Sequence, residues 1–136
     1  MAPGMATDSP LRVLYVEDDR VTALLFTQAL LAETRIELRV AEDGAEALAL
    51  MQDWRPEVLV LDAHLPDLHG DALLGQLRAL PDLARVPAYM CSADGEPEDL
   101  QRAQTAGFDG YWVKPVSPRV VLQALLALWQ QRLPPG

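Results

Sequence analysis

The stretch EVLVLDAHLPDLHG, residues 57–70, decides how the rest of the chain is read. Four consecutive apolar residues, Val58 to Leu61, run straight into Asp62, and the loop beyond carries Pro66 and Gly70. A short unbroken apolar run bounded by turn residues is how a strand buried on both faces reads, since a sheet covered on both sides leaves no face for polar alternation. Asp62 therefore stands at the carboxyl end of a central strand. The loop after it can wrap around a bound group.

Outward from this stretch, the same alternation of strand and helix recurs. Strand-like runs are LRVLYV (11–16), IELRVA (36–41), EVLVL (57–61), VPAYMC (86–91) and DGYWV (109–113). Helical spacing lies between them: Val21, Leu24, Leu25 and Gln28; Ala45, Leu48 and Met51; Leu73, Leu74, Leu77 and Leu80; Leu100 and Ala103; and Leu122, Leu125, Leu126 and Trp129. Asp43-Gly44 opens the second helix and Pro56 follows it, Pro81 closes the third, and Ser117-Pro118 caps the last. Asp19 reads as the cap of the first. Pro87 falls at the start of a strand, where a missing N–H does least harm. Five such units predict an α/β fold, a flavodoxin-like (βα)5 doubly wound parallel sheet in the order 2-1-3-4-5. Residues 10–132 form the domain, with tails at 1–9 and 133–136.

The 136 residues carry 20 acids against 11 Lys and Arg, a formal charge of −9. That balance speaks against direct nucleic-acid binding and against docking on anionic lipid, both of which need a basic footprint. Cys91 is the one cysteine, so neither an internal disulfide nor a cysteine zinc site can form, and its apolar neighbours predict a buried thiol. No run approaches a membrane span, and the amino-terminal residues lack the marks of a secretion signal. These features point to the cytoplasm.

In the 2-1-3-4-5 order, ligands bind beyond the carboxyl ends of the strands, at the switch between strands 1 and 3. Strand 1 ends in Glu17-Asp18-Asp19, strand 3 in Asp62, strand 4 in Cys91-Ser92-Ala93 and strand 5 in Lys114-Pro115. Carboxylates crowded together raise the cost of ionising one another, and a bound cation relieves that cost. Only oxygen ligands are offered, which suits Mg2+, with Mn2+ as a substitute. Ca2+ needs more protein oxygens, and Zn2+ prefers His or Cys. A hard cation, a hydroxyl and an amine beside a carboxylate can together hold a phosphoryl group, and the carboxylate itself can be the nucleophile. Asp62 is the candidate acceptor.

Taken in order, VLYVEDD (13–19), VLVLDAHLPDLHG (58–70), YMCSAD (89–94) and YWVKPV (111–116) resemble the response-regulator receiver domain of two-component signalling, in particular chemotaxis-type single-domain receivers. The resemblance implies phosphorylation of Asp62. It places Asp18 and Asp62 on the metal, with Glu17 through water and the backbone carbonyl of His64 as a further ligand. It gives Ser92 a bond to the phosphoryl group, Lys114 its charge neutralisation, and Tyr111 the part of a switch aromatic that moves inward with Ser92. It puts Pro115 after a cis peptide and Gly70 at the sharp turn after the acceptor. His64 and Asp94 stand at variable positions that influence how fast the phosphoryl group is lost.

The implied partners are a histidine kinase or histidine phosphotransfer protein as donor. A downstream protein target would be met through strand 5 and the last two helices; of two apolar stripes on the last helix (Val121, Leu125, Leu128 and Leu122, Leu126, Trp129) one is expected to cover the sheet, leaving an excess suited to a homodimer or a partner surface. The domain would be no enzyme beyond catalysing its own phosphorylation and dephosphorylation. No output domain is recognisable after residue 132, so a contact-signalling receiver is expected, with a receiver module from a larger hybrid kinase or multidomain regulator as the alternative. A small Mg-dependent phosphatase would want a second Asp at position 64, and a flavin-binding domain a hydroxyl-rich loop after strand 1. Neither is present.

Overall fold

The computed structural model describes residues 9–93 and 97–132. Five strands, β1 (Leu11–Val16), β2 (Ile36–Ala41), β3 (Val58–Asp62), β4 (Ala88–Ala93) and β5 (Gly110–Lys114), alternate with five helices. The helices are α1 (Arg20–Leu31), α2 (Gly44–Leu50), α3 (Gly70–Arg78), α4 (Pro97–Ala106) and α5 (Pro118–Gln131). The strands form one parallel sheet in the order β2-β1-β3-β4-β5, as the alternation predicts. The tails at 1–8 and 133–136, and Asp94, lie outside the described residues.

The two-residue period of a strand sorts its side chains between two cores. Leu14, Val16, Leu59 and Leu61 meet α2 and α3 through Ala47, Met51, Leu73, Leu74 and Leu77. Leu11, Val13, Tyr15, Val58 and Val60 point the other way, onto Phe26 and Leu30 of α1 and Val121 and Leu125 of α5. Every residue of β3 is buried, which is why its sequence shows no alternation.

Several local expectations shift. β4 begins after Pro87 and runs through Ser92 and Ala93; Pro87 has no N–H to give, yet its carbonyl accepts from Leu59 N at 2.9 Å. Asp62, Ser92 and Lys114 are thus residues of their strands rather than of the loops beyond. On α1 the buried pair is Phe26 and Leu30, while Val21, Leu24 and Leu25 face outward. Phe26 stacks on Tyr15 with ring centroids 4.4 Å apart, and this contact fixes which face the helix turns to the sheet. On α4 the buried residues are Asp99 and Ala103, four apart, and Leu100 is exposed. On α5 the second apolar stripe is not a free surface, because Leu122, Leu126 and Trp129 pack half-buried against the same core as Val121 and Leu125.

Helix starts are held in different ways. Asp43 caps α2 by accepting from Glu46 N at 2.8 Å. Asp67, from the loop after β3, adds two more bonds to that end, from Gly44 N and Ala45 N, both at 3.0 Å. Those donors hold its carboxyl below the usual range against the opposing effect of burial. The loop that follows Asp62 is thereby tied to α2. Asp19 and Ser117 occupy cap positions but make no side-chain bond to the helix backbone; Asp19 accepts the Thr22 hydroxyl instead.

Candidate functional site

Strand register alone brings the carboxyl-edge residues together. Val16 pairs with Leu61, Asp62 with Cys91, and Ala93 with Lys114. Neighbouring strands lie about 4.8 Å apart, so Glu17, Asp62, Ser92 and Lys114 must share one end of the sheet.

Lys114 is the link. Its Nζ lies 2.6 Å from Glu17 Oε1 and donates to Asp62 Oδ2 at 3.0 Å. Both acids are buried: Glu17 is 1% exposed and Asp62 5%. Glu17 also accepts from Asp19 N (3.1 Å) and from the Tyr15 hydroxyl (3.4 Å). Burial raises its carboxyl above the usual range, and the Asp62 charge adds to this while Lys114 opposes it. For Lys114, burial disfavours the charge, but the two carboxylates outweigh it and hold the ammonium above its ordinary value.

Oxygens of Glu17, Asp18 and Asp62 all lie within 4.8 Å of one another, the one grouping of metal-ligating side chains found among the described residues. Two of the three are buried and Asp18 is exposed, so the cluster opens to solvent on one side. An all-oxygen donor set of this size fits a hard divalent cation that keeps part of its water shell. His64 follows two residues after Asp62, and its amide donates to Asp62 Oδ1 at 3.2 Å, so its backbone is held at that carboxylate. His64 and His69 meet edge to face with centroids 4.9 Å apart.

Gly70 opens α3 against β3. A Cβ there would come 2.4 Å from the Asp62 carbonyl oxygen, so only glycine lets the helix start this close. Close approach, and not an unusual backbone angle, is what the position demands. The Lys114–Pro115 peptide is cis. Cys91 is buried, as its neighbours predict, and burial pushes its thiol up to about 12.

Ser92 is buried at the same edge, but its hydroxyl is turned to Asp99, a residue that the sequence reading missed. Asp99 is 3% exposed and also receives His64 Nε2 at 2.9 Å. Burial works to raise the Asp99 carboxyl; the Ser92 and His64 bonds more than offset it and leave the group below the usual range. The signal for Asp99 was its spacing four before Ala103, on the face that α4 buries. Tyr111 rests half-buried against Ala103, Met90 and Ala63, and its buried hydroxyl finds no partner among the described residues. Trp112, on the opposite face of β5, stacks on Tyr89 at 4.6 Å.

Comparison with known proteins agrees with this fold. The family model for the response regulator receiver domain matches residues 13–126. An uncharacterized 14.6 kDa protein of Leptolyngbya boryana is 37% identical over 127 residues, which cover 90% of this chain and 96% of that protein. The probable transcriptional regulatory protein TcrX of Mycobacterium tuberculosis is also 37% identical, over 90% of this chain but only 51% of its own length. Among solved structures, a CheY-like response regulator receiver domain protein from Methanospirillum hungatei superimposes with a TM-score of 0.80 at 27% identity, covering 91% of this chain and 97% of that one.

Proposed function

The chain belongs to the response-regulator receiver family of two-component signalling, and on that premise we propose that it accepts a phosphoryl group on Asp62 in a Mg-dependent reaction. The donor is a phosphohistidine of a histidine kinase or histidine phosphotransfer protein. One carboxylate oxygen of Asp62 forms the new P–O bond as the P–N bond breaks, and the bonding pair returns to the imidazole. The observation that carries this reading is Lys114 Nζ set 3.0 Å from Asp62 Oδ2 within a trio of acids whose oxygens span no more than 4.8 Å.

Asp18, Asp62 and the His64 carbonyl would hold Mg2+, or Mn2+ in its place, with Glu17 acting through water. The cation would supply neutralising charge to the transferred group. Lys114 supplies a second positive charge, and its ammonium is kept charged by the two carboxylates it touches. Position 64, where a phosphatase of similar layout would want an acid–base Asp, is a histidine. The domain then acts as a switch, catalysing only its own phosphorylation and dephosphorylation, and passes the signal to a protein target by contact through β5, α4 and α5. No helix among the described residues is long and apolar enough to cross a membrane.

Incubation with Mg2+ and acetyl phosphate, read by intact mass, tests the reading. The protein should gain one phosphoryl mass, dependent on the cation, and Asp62→Asn should gain none. Uptake by Asp62→Asn at the wild-type rate would reject it.

A further inference from the structure

We propose that Asp99 is a latch on the Ser92 hydroxyl: a positioning residue that holds the hydroxyl away from the acceptor and must release it when Asp62 is phosphorylated. The inference rests on the reading of Asp62 as acceptor, and adds to it a residue on another element that sets how readily the site is filled.

A serine hydroxyl has one proton to donate. In this structure Ser92 Oγ gives that proton to Asp99 Oδ2, with the Ala93 carbonyl as a more distant alternative at 3.3 Å. A phosphoryl oxygen is acceptor only, so the hydroxyl cannot serve both. Bonding to the phosphoryl group therefore requires breaking the bond to Asp99. That bond is a strong one, because it joins a hydroxyl to an ionised carboxylate in a buried setting.

Asp99 is built to stay behind when Ser92 leaves. Its carboxylate is fixed in the first turn of α4, and His64 Nε2 bonds the same oxygen, Oδ2, at 2.9 Å, so that oxygen keeps a partner when the serine turns away. The histidine belongs to the loop that leaves Asp62, so the acceptor loop, the serine strand and α4 meet at one carboxylate. The buried face of α4 continues from Asp99 to Ala103, one turn on, where the Tyr111 ring rests with its buried hydroxyl unpartnered among the described residues. Release of Ser92 and movement of Tyr111 thus share one helix face.

The test measures phosphoryl uptake from acetyl phosphate, with saturating Mg2+, in wild type, Asp99→Ala, Ser92→Ala and the double variant. Removing the competing acceptor should speed uptake on the order of tenfold when Ser92 is present. In the Ser92→Ala background the same change should do much less, because no hydroxyl remains to be released. A general loosening of α4, or the loss of one negative charge near the site, would act equally in both backgrounds, so only the coupling between the two positions reports the latch. Asp99→Asn keeps the shape and a weaker acceptor. It should fall between wild type and Asp99→Ala, and it guards against a fold lost in the alanine variant. Equal effects of Asp99→Ala with and without Ser92, or no effect in either, would overturn the latch while leaving the Asp62 reading intact. No uptake by wild type would overturn both.

Discussion

Lys114 stands between two buried carboxylates, and its removal leaves Glu17 and Asp62 facing each other without a counter-charge. Breaking a fully buried pair costs about 3–5 kcal/mol. The Lys114 side chain is 22% exposed, so water relieves part of this, and Lys114→Ala should lose about 2–3 kcal/mol at neutral pH in urea denaturation. The sign of the pH dependence follows from Glu17. Its carboxyl titrates above the ordinary range because of burial, so the folded state takes up a proton before the unfolded chain does. A group raised in this way favours folding as the pH falls through its folded value. With Lys114 no longer opposing burial, the Glu17 carboxyl rises further in the variant than in wild type, so the deficit of Lys114→Ala should shrink as the pH falls from neutrality toward the ordinary carboxylate range, and a deficit unchanged over that descent would contradict the assignment. Asp99 shows the limit of reading at this scale. Acids are mostly exposed, and nothing in Asp99 alone marks it as buried. Its partners lie 7 and 35 residues away, on other elements, and only the fold brings them together.

Elements are placed by which face they bury, and two helices separate apparent from actual constraint. In α3, a Cβ at Gly70 would strike backbone atoms of Asp62 and Ala63, whereas at Gly75 it would meet nothing within 4 Å. Gly70→Ala should cost roughly 1–3 kcal/mol and slow phosphoryl uptake, since the helix must back away from the acceptor. Gly75→Ala should stabilise by up to about 1 kcal/mol. The two thermal melts should move in opposite directions. In α1, Phe26→Ala removes a core ring and should cost about 3–5 kcal/mol. Leu24→Ser, at a site 57% exposed, should stay within about 0.5 kcal/mol. Denaturant midpoints that ranked the two in reverse would show that α1 turns its other face to the sheet. This helix was legible as a helix but not in its facing. Val21, Leu24 and Leu25 carry the spacing of a buried stripe, and the decision was made by the Tyr15–Phe26 stack, which needs the neighbouring strand to be seen.

At the scale of the molecule, the sheet order was readable because β3 is unbroken apolar from Val58 to Leu61 and the chain alternates five times between two periods. Parallel strands with right-handed crossovers leave few ways to arrange such units. The acids, serine and lysine of the site were readable for a related reason. Each lies at or just beyond the carboxyl end of its strand, and in a parallel sheet all strands end at one edge, so residues as distant as Glu17 and Lys114 converge without any local signal. What the alternation does not carry is where the Ser92 hydroxyl is directed. The turn of the Ser92 hydroxyl toward Asp99 depends on a hydrogen bond across elements, and the strand pattern is silent on it.

The central claim is that the reactive atom is a carboxylate oxygen of Asp62, and locating the phosphoryl group by residue tests it most directly. An aspartyl phosphate is reduced by borohydride to homoserine, whereas an unmodified aspartate is not. After Mg2+ and acetyl phosphate, borohydride treatment and peptide mapping should convert Asp62, and only Asp62, among the 20 acids of the chain. Conversion at Asp18 or another carboxylate with Asp62 left intact would contradict the account.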